Sequence, residues 1–140
     1  MKNDLSRFTQ AHERDYETAL SEIRNGRKRS PWMWYIFPQL KGLGMSSTSD
    51  YYGIKDMDEA KAFLSDPYLG GNLREISNAL LKLDTNNALE VFGSPDNLKL
   101  CSSMTLFASA EGESSVFRKV LEKFFQGKDD ERTLALLKSH

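Results

Sequence analysis

The chain has 140 residues, of which 39% are hydrophobic and 28% charged, and its formal net charge is -1. These values describe one globular domain over residues 1–140, large enough to bury a core without disulfides or a structural metal. No apolar run approaches the roughly 18 residues of a membrane span, and near-neutral charge disfavours a nucleic-acid or polybasic membrane binder. The single cysteine and the absence of an apolar segment behind Met1 lead us to expect a cytoplasmic protein without a signal peptide.

Apolar residues three and four positions apart predict a largely helical chain. A first helix follows from the stripe between Leu5 and Ile23, with Gly26 placed to end it. Three dipeptides place a capping residue before a proline, and each predicts a helix start because proline at the first helical position wastes no donor. They are Ser30-Pro31, Asp66-Pro67 and Ser94-Pro95.

The central third of the chain predicts two more helices. Asp56 with Glu59 is typical of a capping pair. A regular leucine spacing then predicts a helix of about four turns up to Leu83. Gly70 and Gly71 each weaken its first turn by about 1 kcal/mol relative to alanine, so we expect the regular helix to begin nearer Asn72.

The last third continues the helical pattern. A short helix over 88–92 ends at Gly93. A further apolar stripe predicts a helix that ends at Gly127, and another predicts a last helix that begins after Asp129. The segment 98–108 is apolar nearly all round, which favours a central helix. The prediction is an all-α, single compact domain of seven or eight short helices packed around that segment. Only Trp32–Phe37 also fits a buried strand, because six residues are too few for periodicity to decide.

Charge is distributed unevenly along the chain. Residues 21–42 contain five basic side chains against Glu22 alone, whereas residues 43–70 contain two lysines against five acidic side chains. The basic segment adjoins the densest aromatic run, Trp32–Phe37. A net charge near zero is therefore a cancellation between two oppositely charged segments.

Basic and aromatic side chains together are typical of a site for a phosphate-bearing ligand. Arginine and lysine donate to phosphate, and aromatic faces stack on a base. We therefore predict a binding module for an anionic small molecule such as a nucleotide. The candidate ligand-binding residues are Arg27, Lys28, Arg29, Trp32, Trp34, Gln39, Tyr51, Tyr52, Lys99 and Ser103. The alternative interpretation is that the cations form a solvated helix end and the aromatic rings are core.

Two other functions stay open. The same surface could serve protein interaction or self-association, since Trp, Tyr and Arg are the usual interface anchors. An enzyme ranks lower because no nucleophile or general base can be named. His12 falls on the apolar stripe of the first helix, His140 is the last residue and is expected to be frayed, and Cys101 resembles a core thiol. We expect no metal and no cofactor, and the oligomeric state is not indicated. A nucleic-acid partner is disfavoured because a neutral chain offers few phosphate contacts beyond the basic segment.

The run Gly26–Leu40, with its Trp32-Met33-Trp34 motif, resembles the signature of a bacterial domain-of-unknown-function family numbered eighteen-ten. Further matches follow in order along nearly the whole chain: Asp4-Leu5-x-Arg7-Phe8, Tyr52-Gly53-Ile54, Glu59-Ala60-x-Ala62-Phe63-Leu64, Asp66-Pro67-x-Leu69-Gly70, Phe92-Gly93-x-Pro95-Asp96 and Lys99-Leu100-x-Ser102-Ser103-Met104-Thr105-Leu106-Phe107. The resemblance implies one all-α domain of about eight helices, favours a helix at Trp32–Phe37 and implies no established activity.

The resemblance has two limits. Members of that family sometimes bear the label calpastatin, but nothing in this chain resembles a repetitive, disordered protease inhibitor. The family commonly carries a histidine immediately before the Trp-Met-Trp run, where this chain has Pro31. A chemical role of that histidine therefore does not carry over to this chain.

Overall fold

Residues 3–139, the part of the chain described by this computed structural model, form nine α-helices. In chain order these are α1 (Ser6–Arg24), α2 (Met33–Ile36), α3 (Ser47–Tyr52), α4 (Met57–Ser65), α5 (Pro67–Leu81), α6 (Ala88–Phe92), α7 (Asp96–Glu111), α8 (Val116–Phe125) and α9 (Glu131–Ser139). Over this range there is no β-strand, and one isolated parallel bridge joins Leu40 to Ile54. The all-α prediction is confirmed, and Trp32–Phe37 contributes a helix rather than a strand. The helix count exceeds the predicted seven or eight, and the prediction for His140 lies outside the described residues.

Aspartate caps begin α4 and α5 as predicted. Asp56 Oδ1 accepts the amide of Glu59 at 2.9 Å, and Asp66 Oδ2 accepts the amide of Leu69 at 2.8 Å. The regular helix α5 begins at Pro67, so the expectation of a start nearer Asn72 is wrong. The cap and the proline together outweigh the two glycines of the first turn.

The other two pairs, Ser30-Pro31 and Ser94-Pro95, are each followed by a helix within two residues, but the predicted serine caps are wrong. Helix α2 begins at Met33 and α7 at Asp96, and neither start has a side-chain cap. The Ser30 hydroxyl donates to Glu22 instead. At the start of α7, the carbonyls of Gly93 and Pro95 accept the amides of Asn97, Leu98 and Lys99 in place of a serine side chain.

Helix α3 was not predicted, because its serine-rich sequence has no apolar stripe. Its start is a capping box: Ser46 Oγ accepts the amide of Ser49, and Ser49 Oγ accepts the amide of Ser46, both at 3.0 Å. Reciprocal caps of this kind hold a short polar helix that periodicity cannot reveal. The segment 42–53 is therefore partly helical.

Helix α7 is the centre of the packing. Its residues Ser102–Ala108 are all buried, and the helix packs against α4, α6, α8 and α9. The prediction of a central helix over 98–108 is confirmed. Leu98 is an exception to the burial of this segment: its side chain lies in the first turn of α7 and is 62% exposed.

None of the helices within residues 3–139 combines the length and the apolar character that crossing a membrane requires.

Candidate functional site

The basic and aromatic segment after α1 is organised by one carboxylate. Glu22 Oε1 accepts the amides of Arg29 and Ser30 at 2.7 and 3.0 Å and the indole N–H of Trp32 at 2.8 Å. The Ser30 hydroxyl donates to the second carboxylate oxygen. Burial favours the protonated form, but these hydrogen bonds outweigh it and hold the pKa of Glu22 below its usual value.

Trp32 belongs to the core. Its side chain is 1% exposed, and its ring packs against Phe37 and Phe92 with centroids 6.1 and 6.3 Å apart. Lys28 Nζ lies 5.1 Å from the ring centroid. A ligand cannot stack on this ring without opening the core.

A three-residue ion network links this segment to α7. Asp96 Oδ2 lies 2.9 Å from Lys28 Nζ, and Asp96 Oδ1 lies 3.0 Å from Lys99 Nζ. All three side chains are at most 21% exposed, which protects the pairs from screening by salt. Lys99 Nζ also lies 4.0 Å from the ring centroid of Trp34. One carboxylate therefore holds two lysines, each against a tryptophan.

Trp34 and Lys99 line a cleft of about 250 Å³ between the 39–44 loop and the first turns of α7 and α9. Gln39 is a further member of its wall. Neither the indole N–H of Trp34 nor the Gln39 amide has a hydrogen-bond partner within residues 3–139. The complete lining is Trp34, Gln39, Leu43, Gly44, Pro95, Leu98, Lys99, Ser102, Asp130 and Arg132.

Two charged residues of this cleft were not predicted from the sequence. Arg132 Nη2 donates to the carbonyl of Leu43 at 3.3 Å, and Leu43 also lines the cleft. Asp130 Oδ2 accepts the Ser102 hydroxyl at 3.0 Å and the Thr133 amide at 3.2 Å. The sequence marked 129–131 as a helix start, which is correct, but nothing in it placed that start beside Trp34.

The remaining predicted site residues do not join this cleft. Arg27 and Arg29 line a separate open groove together with Glu17 and Glu22. Tyr51 is 58% exposed, and its ring packs edge-on against Tyr52. The structure thus brings together Trp34, Gln39 and Lys99, and the binding role of every predicted residue stays a prediction.

Ser103 has no route to the cleft. It is fully buried on α7, and its hydroxyl has no hydrogen-bond partner in the described part of the chain. An unpaired buried hydroxyl reduces stability. We assign it no ligand contact.

His12 is a buried core histidine, as the apolar stripe of α1 predicted. Nε2 lies 2.8 Å from the carbonyl oxygen of Tyr35 and Nδ1 lies 3.0 Å from the amide nitrogen of Asn72, so Nε2 carries the proton and Nδ1 accepts. Burial lowers the pKa of His12 to about 4. The ring is therefore neutral near pH 7 and is 1% exposed, which gives it no access to a substrate.

We expect acid to destabilise the protein through His12. Because its pKa is about 4 in the folded state and 6.5 in the unfolded state, the unfolded chain takes up more protons between these values. The protonation of His12 does not reduce the free energy of unfolding above pH 6.5, and it lowers that free energy by about 3 kcal/mol as the pH drops towards 4. NMR titration of the His12 ring checks this: a midpoint near 4 is expected, and one near 6.5 would contradict the buried, neutral assignment.

Cys101 is half-buried, and burial raises the pKa of its thiol to about 11. It is therefore not an activated thiolate near neutral pH. Within residues 3–139, no three His, Cys, Asp or Glu side chains are grouped so that they could hold a metal ion.

Comparison with known proteins places the chain in a family. Residues 2–137 match DUF1810, described as a protein of unknown function. The fold is similar to the crystal structure of the conserved hypothetical protein Rv1873 from Mycobacterium tuberculosis, with 45% sequence identity, a TM-score of 0.93 and 96% of each chain covered. No curated protein matches the sequence. The match over nearly the whole chain means that this protein belongs to DUF1810, a family of unknown function.

Proposed function

We propose that this protein binds a small anionic molecule in the cleft between Trp34 and Lys99. The observation that carries the proposal is the convergence of two cations, Lys99 and Arg132, on a cleft that Trp34 and Gln39 also line. Cations supply charge-assisted hydrogen bonds to an anion, and the neutral groups orient it.

The local electrostatics favour a negative ligand. The carboxylate of Asp96 is paired with Lys28 and Lys99, and that of Asp130 accepts hydrogen bonds on Oδ2, so both negative charges are already partly compensated. The first turns of α7 and α9 both face the cleft and add the positive ends of two helix dipoles. Of the charged side chains that line the cleft, two are cations, Lys99 and Arg132, and one is a carboxylate, Asp130.

Calorimetric titration tests this proposal with inorganic phosphate, ribose 5-phosphate and AMP as probes. We expect at least one of them to bind at millimolar concentration or below. Arg132→Gln is expected to weaken that binding about tenfold, since it removes one charge-assisted hydrogen bond. Arg27→Gln is the matched control, because Arg27 is an exposed arginine in a different groove. Absence of binding by all three anions, or equal losses in the two variants, would defeat the proposal.

A second candidate is self-association through the rim of the same cleft. Met45 is fully exposed beside Gly44, and Leu98 is 62% exposed at the cleft edge. Exposed apolar side chains next to a tryptophan and an arginine are typical of protein interfaces. Light scattering distinguishes the two functions, because this candidate requires concentration-dependent dimers and anion binding does not.

A further inference from the structure

The size of the Trp34–Lys99 cleft limits its ligand. Its volume is about 250 Å³. Pockets for drug-sized ligands enclose roughly 300–1,000 Å³. The cleft therefore suits a molecule at the small end of the metabolite range, and its exposed edge at Leu98 offers a larger ligand little further enclosure.

The aromatic ring in the cleft is not free for stacking. Lys99 Nζ lies over the Trp34 ring at 4.0 Å from its centroid and is tethered there by Asp96. A nucleobase on that face would have to displace the ammonium and give up its cation–π contact. Elsewhere on the ring, a Cβ at Gly44 would lie only 3.4 Å from Trp34 Cη2, so the 39–44 loop already packs there.

The polar side chains of the cleft other than Lys99 and Arg132 are suited to bind hydroxyl groups of a ligand. The Gln39 amide offers both donors and an acceptor, and the Trp34 indole N–H offers a donor. The hydrogen bonds that Asp130 accepts within the described part of the chain all end on Oδ2, so Oδ1 is available as an acceptor. A hydroxyl satisfies both kinds of group because it donates and accepts.

From these three features we infer that the ligand is a phosphate monoester of a small polyol, such as a sugar phosphate, and not a nucleotide. The inference rests on the proposed function and narrows its ligand class. Lys99 and Arg132 hold the phosphate, and Gln39, Asp130 and the Trp34 N–H hold the hydroxyls. Trp34 acts as a wall that carries Lys99, and it does not stack on a base.

The test compares four ligands on the wild-type protein by calorimetry: ribose 5-phosphate, AMP, inorganic phosphate and adenosine. Ribose 5-phosphate is expected to bind about tenfold more tightly than AMP and than inorganic phosphate, and adenosine is expected not to bind. A tenfold margin corresponds to about one well-made hydrogen bond, which the polyol gains in the cleft and inorganic phosphate does not.

Lys99→Met gives a second, independent readout. It removes the ammonium and keeps most of the apolar stem, and Asp96 retains its pair with Lys28. We expect ribose 5-phosphate to bind about tenfold more weakly and the preference over AMP to shrink, because the Trp34 face becomes free. Lys61→Met, an exposed lysine on α4 that lines a different groove, is the control and should change neither value.

The outcomes separate the ligand class from the function. Tighter binding of AMP than of ribose 5-phosphate would overturn the polyol assignment and leave anion binding intact. Equal affinity for inorganic phosphate and ribose 5-phosphate would overturn it as well, because the hydroxyls would then contribute nothing. Failure of all the anions to bind would overturn the proposed function itself. The comparison of ligands on the wild-type protein does not depend on the folding of any variant.

Discussion

Gly70→Ala is expected to destabilise the protein by about 3 kcal/mol, the upper end of the usual cost of overpacking. A Cβ at this position would lie 2.2 Å from the carbonyl oxygen of Leu64, far inside van der Waals contact. The same carbonyl accepts a hydrogen bond from Arg74 Nη1 at 3.1 Å, so it cannot move away freely. The Leu64 carbonyl and the Arg74 side chain that holds it both lie where α4 meets α5. Urea denaturation of the variant and the wild type measures the difference.

Gly71→Ala is the matched control, with an effect of opposite sign. A Cβ at Gly71 would meet no atom within 4 Å, and the residue lies on the exposed face of the same helix. Replacing a helical glycine with alanine reduces the entropy of the unfolded chain, so a gain of about 0.5–1 kcal/mol is expected. Equal effects of the two substitutions would mean that α4 and α5 do not meet as described.

Glu22→Ala is expected to cost about 3 kcal/mol. The substitution removes the acceptor for two backbone amides, the Ser30 hydroxyl and the indole N–H of buried Trp32. A buried donor left without a partner costs about 1–3 kcal/mol, and the exposed donors regain water. Thermal denaturation, followed by tryptophan fluorescence and by far-UV circular dichroism, measures the loss.

Glu22→Gln separates the charge of this carboxylate from its shape. Because the folded-state pKa of Glu22 lies below its usual 4.5, ionised Glu22 stabilises the fold above that value, and the contribution is lost as the pH falls through the folded-state pKa. Glutamine cannot titrate, so the difference in stability between wild type and variant should shrink below pH 4.5. His12 is present in both proteins and its acid effect cancels. A difference that stays constant with pH would contradict an ionised cap.

The fold could be predicted wherever a local signal specified it. Apolar periodicity found α1, and aspartate caps found α4 and α5, because both signals act within a few residues. The serine-proline pairs misled because the Ser30 hydroxyl is bound by Glu22, a partner eight positions away that capping patterns do not include. The start of α5 was misjudged because helix propensity counts a glycine only as a cost. At Gly70 the tertiary contact with Leu64 requires it.

The candidate site could be predicted only in part. Trp34 and Lys99 were predicted because aromatic and basic side chains together are typical of a site for a phosphate-bearing ligand. Arg132 could not be found, since it meets Leu43 across 89 positions of sequence. The charge pattern of the sequence did not show how these charges are paired. Glu22, the lone acid of the basic segment, accepts hydrogen bonds that organise that segment, and Lys28 forms an ion pair with Asp96.

Binding of a small anion beside Trp34 can be followed through the two tryptophan indole N–H signals by NMR during titration with ribose 5-phosphate. Trp34 lies in the cleft, whereas the indole of Trp32 is buried and bound to Glu22, so one molecule supplies both probe and reference. We expect the Trp34 signal to shift in a saturable manner while the Trp32 signal stays in place, and we expect Arg132→Gln to need about ten times more ligand for the same shift. A Trp34 signal that does not move, or equal movement of both signals, would contradict binding in this cleft.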